Sequence, residues 1–243
     1  MDLDGVIWRG TETVLGAPEA IERLRDAGES LAFVTNSALR TPAQVAEKLD
    51  RHGIPDAEDL VITAAMAAAD MVEPGSSVLA IGSDGLREAL AERGASVVEE
   101  GPADVVAIGI TMAFDYDAMT RAMRAIHDGA RFIATNDDTT YPSADGLLPG
   151  NGALVAAVAA CAGVDAEVAG KPYAPIARFV RERLGDDGVM IGDRPDTDGR
   201  FAAAVGYDFA LVLTGVIGAD DLPVEPSPRF VAADILELIE TLL

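Results

Sequence analysis

Lysine is almost missing from this chain: among 243 residues only Lys48 and Lys171 carry an ammonium side chain. Basic charge as a whole is scarce, with 18 lysines and arginines against 41 acids, a net charge of −23 and a pI near 4.2. Such a surface repels phosphate polyanions and anionic lipid, so nucleic acid and membrane are not expected partners. There is a single cysteine, Cys161, which excludes an internal disulfide. It lies in an alanine-rich helical run and reads as packing, in keeping with a reducing cytoplasm. Long apolar runs are lacking too. The longest, over 153–164, falls short of the ~20 residues that span a bilayer. The chain opens with acids, unlike a secretory leader. Repeats and low-complexity linkers are absent. What remains is 49% hydrophobic, which favours a folded core over disorder. Many acids, few lysines and an ordinary core describe a halophilic protein, one suited to concentrated salt where screening limits self-repulsion.

The densest chemistry opens the chain, at Asp2-Leu3-Asp4-Gly5. In an extended segment residues i and i+2 face the same side. Two carboxylates on one side, followed by a glycine that permits a turn, attract a cation, and hard dications such as Mg²⁺ prefer oxygen ligands. A solvated acidic terminus is the plainer alternative. A calcium loop is excluded by spacing: counted from Asp2, the positions that need an oxygen donor, the glycine and the closing glutamate hold Val6, Ile7 and Thr13.

Alternating patterns follow. The periodicity predicts helices over 18–27 and 42–52 around a strand at 31–34. It then predicts helices over 64–72, 86–93, 116–128 and 153–162, interleaved with strands at 78–81, 105–110 and 131–134. A helix ending near Leu184 leads to strands at 189–193 and 209–213. A short strand at Phe230-Val231 and a helix over 235–242 close the chain. Strands alternating with helices make an α/β fold with parallel sheet. His52 and His127 each precede a glycine and read as helix-end residues. Residues 139–150 lack periodicity and are expected to form a loop of functional length.

Small polar or acidic residues gather where strands end, which is where open α/β sheets bind ligands. Thr35-Asn36-Ser37 follows one such strand. Gly192-Asp193 ends another, with Asp196 and Asp198 just beyond. Lys171, kept against the bias toward arginine, suits a point charge for phosphate.

The order Asp2-Leu3-Asp4-Gly5, Thr35-Asn36-Ser37, Gly170-Lys171-Pro172 and Gly192-Asp193-Arg194-Pro195-Asp196-Thr197-Asp198 resembles the haloacid dehalogenase-like (HAD) phosphatases. The likeness covers nearly the whole chain. Residues 131–138 and 150–155 narrow it to the subgroup of 4-nitrophenylphosphatase, phosphoglycolate phosphatase, pyridoxal phosphate phosphatase and NagD-like hydrolases. The resemblance implies a doubly wound, Rossmann-like core over 1–62 and 167–243 and an inserted α/β cap over 63–166. It implies a Mg²⁺-dependent phosphatase acting on small phosphomonoesters through an aspartyl-phosphate. Asp2 would be the nucleophile and Asp4 the general acid and base. Asp2, the Asp4 carbonyl and Asp193 would hold the metal. Thr35, Asn36, Ser37 and Lys171 would bind phosphate, Asp198 would orient Lys171 or a metal-bound water from behind, and Tyr141 would contact substrate from the cap. A homodimer through the cap is a further family expectation. A phosphotransferase with the same intermediate and a non-catalytic phosphate-ligand binder are the alternatives.

One departure stands out. The family sets its nucleophile at the end of a central strand, and here only Met1 precedes Asp2. The first core strand therefore reads as truncated, and a start further upstream is expected to supply it. For the chain as it stands, weak metal binding and low stability are the expectations.

Overall fold

The computed structural model describes residues 1–143 and 146–243. Two compact units emerge. The first comprises 1–35, 43–62 and 171–243, and the second 36–42 and 63–170.

In the first unit, Val189–Gly192 pairs in parallel with Asp208–Val212, which pairs in parallel with Phe230–Ala232. Phe33–Thr35 pairs separately with Val61–Thr63. Met1 and Asp2 lie between these two groups. The Met1 ammonium donates to the Ala32 carbonyl, and the Met1 carbonyl accepts from the Val34 N–H, each at 2.8 Å. On the other side the Asp2 N–H donates to the Ile191 carbonyl at 2.8 Å. The first core strand is thus reduced to two residues, and these pair with both neighbours. The Met1 amine sits deep in the unit, and burial pushes it down to about 5, with the Lys171 charge acting in the same sense.

Below Asp2 the chain turns sharply. Ile7 and Trp8 N–H groups both return to the Leu3 carbonyl, and the Gly5 N–H donates to the Trp8 carbonyl. A short hairpin, Trp8–Arg9 with Glu12–Thr13, follows the turn. Leu3, Val6, Ile7 and Trp8 are buried with Phe33, Ile191, Val212 and Ile235 in one core. Burying each large side chain of this kind contributes about 1.5–3 kcal/mol. That packing fixes the turn that carries the acids. Helix Ala17–Asp26 has Pro18 in its first turn, where the missing N–H costs nothing. It packs against Ile235–Leu242, and Arg23 pairs with Glu240 at 3.0 Å.

The second unit is built on five parallel strands, in spatial order Glu167–Val168, Arg131–Ala134, Val105–Ile108, Ser77–Ile81 and Ser96–Val98. All four residues of Val105–Ile108 are buried, the pattern of a strand covered on both faces. Helix Tyr116–His127 is N-capped by Asp115, whose carboxylate accepts from the Ala118 N–H at 2.8 Å. Residues 139–150 are not the irregular loop expected. Thr140–Ser143 and Gly146–Pro149 form an antiparallel hairpin, with Thr140 opposite Pro149. Its inner positions read neither helix nor alternating strand, because most of its described side chains are exposed and so carry no apolar period. Among the described residues no helix is long and apolar enough to cross a membrane.

Candidate active site

Four of the charged residues singled out from the sequence converge in the first unit. The Lys171 ammonium donates to Asp2 Oδ1 at 2.8 Å and to Asp198 Oδ1 at 2.7 Å. Lys171, Asp193 and Asp198 are almost wholly buried, and the Asp2 side chain is 14% exposed. Oxygen atoms of Asp2, Asp193 and Asp198 lie within 4.8 Å of one another.

Each side chain is carried by a strand end or turn and held there by backbone from its own or a neighbouring segment. Asp2 stands where the two-residue strand stub ends. Asp193 follows the strand Val189–Gly192, and its Oδ2 accepts from the Val216 N–H at 2.7 Å. Asp198 lies in a wide helical turn, Pro195–Gly199, and its Oδ2 accepts from the Arg194 N–H at 3.2 Å. Two glycines make room for Asp193. A side chain at Gly5 or at Gly215 would collide with its carboxylate, and Gly5 also has φ +82°. The Thr214 hydroxyl donates to the Gly5 carbonyl at 2.6 Å, tying the second loop to the first.

The electrostatics are unbalanced. Three carboxylates face one ammonium. Burial, then the charges of Asp2 and Asp198, push the Asp193 carboxyl up to about 7, against the opposing Val216 N–H and Lys171. Burial also raises Asp198, although Lys171 works the other way. Burial alone would lower Lys171; the Asp198 and Asp2 carboxylates outweigh it and hold the ammonium above its ordinary value. Both Asp198 oxygens have donors. Asp193 Oδ1 is buried without a hydrogen-bond partner. An orphaned carboxylate oxygen beside a second carboxylate is a costly arrangement, and a hard dication relieves it. The donor set, all oxygen, fits Mg²⁺.

Asp4 is directed elsewhere. Its Oδ1 accepts from the Trp8 indole N–H at 2.8 Å. Although the residue reaches solvent, its carboxyl is crowded by protein. Desolvation, then the Asp2 charge, raises its pKa, while Lys48 and the Trp8 bond oppose that shift. Thr35 is buried at the end of Phe33–Thr35 in the first unit. Asn36 and Ser37 belong to the second unit. There the Asn36 amide donates to Asp138 Oδ2 at 3.1 Å, and the Asn36 carbonyl accepts from Asn136 at 2.7 Å. Tyr141 is half-buried in the hairpin of the second unit. Asp196 faces outward and pairs with Arg194 at 3.3 Å.

Sequence reasoning missed Trp8, Thr214, Gly215 and Val216. The last three follow a strand end, as the other motif residues do, but carry no charge that would single them out. Lys48 was as rare as Lys171, and its rarity could have pointed to it.

The chain matches two family models: haloacid dehalogenase-like hydrolase over residues 1–96 and HAD-hydrolase-like over residues 168–238. The chain is 40% identical over 222 residues to the 5'-nucleotidase YutF of Bacillus subtilis, covering 89% of this chain and 86% of that protein. Among solved structures it resembles a glycerol phosphate phosphatase from Mycobacterium tuberculosis in complex with magnesium, with TM-score 0.90, 35% identity, and coverage of 98% of this chain and 74% of that one. It also resembles a p-nitrophenyl phosphatase from Archaeoglobus fulgidus, with TM-score 0.91, 30% identity, and coverage of 99% and 97%. The chain belongs to the haloacid dehalogenase-like hydrolases. Within that class its likeness is to the NagD-like subgroup, which includes the p-nitrophenyl phosphatases.

Proposed function

We propose that this protein is a Mg²⁺-dependent hydrolase of small phosphomonoesters, working through an aspartyl-phosphate on Asp2. The observation that carries the reading is the Asp2–Lys171–Asp198 chain of charge-assisted bonds beside the orphaned Asp193 oxygen. The magnesium complex of a relative 35% identical supports the choice of metal.

An Asp2 carboxylate oxygen attacks phosphorus, and the bond from phosphorus to the ester oxygen breaks. Asp4 in its acid form gives its proton to the departing oxygen. As a carboxylate it then takes a proton from water, whose oxygen attacks the phosphoenzyme and frees Asp2. Lys171 holds Asp2 in place and offsets the charge gathering on the phosphoryl oxygens. Asp198 keeps Lys171 charged and oriented. Asp2, the Asp4 carbonyl and Asp193 would hold the metal. Bound Mg²⁺ neutralises the repulsion between the carboxylate and the phosphate dianion. Thr35, Asn36 and Ser37 donate hydrogen bonds to phosphate, and Tyr141 discriminates among leaving groups.

In this reading residues 1–62 and 167–243 form the catalytic core and 63–166 the cap. The setting is a cytoplasm of high salt, and the cap is the surface for a homodimer. Relatives named for nucleotides, glycerol phosphate and p-nitrophenyl phosphate favour a small phosphorylated metabolite as substrate. The test is Asp2→Asn with p-nitrophenyl phosphate and Mg²⁺. Turnover is expected to vanish; a variant that still turns over would refute the nucleophile.

A further inference from the structure

We propose that Trp8 is the positioning residue for Asp4, and that Lys48 acts on Asp4 through it. The inference rests on the reading of Asp4 as the acid for the leaving group.

The local geometry supports it. The turn after Gly5 closes through the Gly5 N–H to the Trp8 carbonyl at 2.7 Å, which brings residues 4 and 8 side by side. The indole N–H then takes Asp4 Oδ1 at 2.8 Å. Asp4 Oδ2 has no protein hydrogen bond among the described residues, so one oxygen is held and the other is left to carry the proton. The indole itself is enclosed by packing: Trp8 is 2% exposed. Helix Pro42–Arg51 supplies its packing surface. The Lys48 ammonium lies 3.7 Å from the ring centroid, and the His52 ring, one helical turn on, stacks on the indole at 5.0 Å. His52 is fixed in turn by the Thr13 hydroxyl at 2.7 Å.

The chemistry explains why tryptophan and lysine suit these places. Of the large aromatics, only indole offers a donor N–H and no acceptor, so it cannot compete with Asp4 for the proton. A cation over the ring is attracted to its face and withdraws electron density, which strengthens the N–H as a donor. The chain's two lysines therefore serve the two essential acids, Lys171 directly at Asp2 and Lys48 through Trp8 at Asp4. Asp4 without the indole bond keeps its chemistry but loses its aim.

Leaving groups separate aim from general damage. An alkyl phosphate needs its departing oxygen protonated, whereas p-nitrophenolate departs without help. A hydrogen bond to a charged group contributes about 1.5–3 kcal/mol, which is roughly 10- to 100-fold in rate. Trp8→Phe is expected to lower kcat/KM for glycerol phosphate about 10- to 100-fold, with kcat/KM for p-nitrophenyl phosphate changed less than about threefold; this ratio reads the steps up to departure of the leaving group and not the later hydrolysis of the phosphoenzyme, which both substrates share. Replacing Trp8 by the isosteric benzothienylalanine, which keeps the ring and lacks the N–H, should give the same split with an unchanged melting temperature. Lys48→Met should give the split in weaker form. Asp4→Asn is the control: if it shows no dependence on leaving group, the role of Asp4 fails, whatever Trp8 does. If Asp4→Asn shows the dependence and the benzothienyl protein does not, the role of Trp8 is overturned. An equal loss on both substrates in the benzothienyl protein overturns it as well.

Discussion

Replacing Asp193 by asparagine should make the metal-free protein more stable, by an amount that grows with pH. The wild-type carboxyl is held near 7, against 3.8 for an ordinary aspartate. The folded state therefore grips a proton that the unfolded chain releases. Below pH 3.8 this costs nothing. Between that point and pH 7 the folded protein loses stability relative to the unfolded chain, and above pH 7 the full penalty is present. Three pK units at ~1.4 kcal/mol each set the penalty at no more than about 4 kcal/mol. Asparagine carries no charge and is nearly the same size. Its carbonyl keeps the Val216 N–H bond, and its amide places a donor where the orphaned oxygen faces Asp2 and Asp198. Thermal unfolding in chelator should show the variant ahead by roughly 8–16 °C at pH 8, at 2–4 °C per kcal/mol for a chain of this size. The gap should fall below about 1 kcal/mol near pH 4. Saturating Mg²⁺ should lift the wild type strongly and the variant little, while phosphatase activity is lost in the variant at every pH. A variant no more stable than the wild type at pH 8, or a lead that does not shrink on acidification, would refute the account of Asp193 as a strained carboxylate awaiting a cation.

Two further outcomes follow from the same charges. Lys171→Met removes the one ammonium among three carboxylates and leaves Asp198 buried without its partner, so denaturant unfolding should show a loss of about 3–5 kcal/mol together with loss of activity. The net charge of −23 predicts a melting temperature that rises with salt. Dilution from about 1 M to 0.1 M lengthens the screening distance from roughly 3 to 10 Å. A melting temperature indifferent to that dilution would count against the high-salt setting.

Much of the architecture was legible because local patterns carry it. The apolar blocks at 78–81, 105–108, 131–134 and 189–192 have few alternatives to buried parallel strands, and each lies within a residue or two of the strand expected. The strand pair Thr140–Ser143 and Gly146–Pro149 was not legible, since its described side chains are mostly exposed and show no hydrophobic period. Lys171, Asp193 and Asp198 stood out as charges at element ends, where burial is not the default. Trp8 did not. Being the only tryptophan in the chain, it reads as core, and it is core; its N–H acquires a role only because a tight turn returns it to Asp4.

Composition and motif order determined, without any coordinates, that the chain is an acidic α/β protein with carboxylates and a lone lysine at strand ends. Those properties are local, written in charge and periodicity within a few residues. The tertiary structure alone decided which of those charges meet. Asp2 and Lys171 are 169 positions apart, and contact at 2.8 Å comes from the packing of strands and loops around Leu3, Ile7 and Ile191. The same packing left one Asp193 oxygen buried without a donor. Only closure of long loops can bring Asp2, Lys171 and Asp193 together, and the spacing between them holds no record of it.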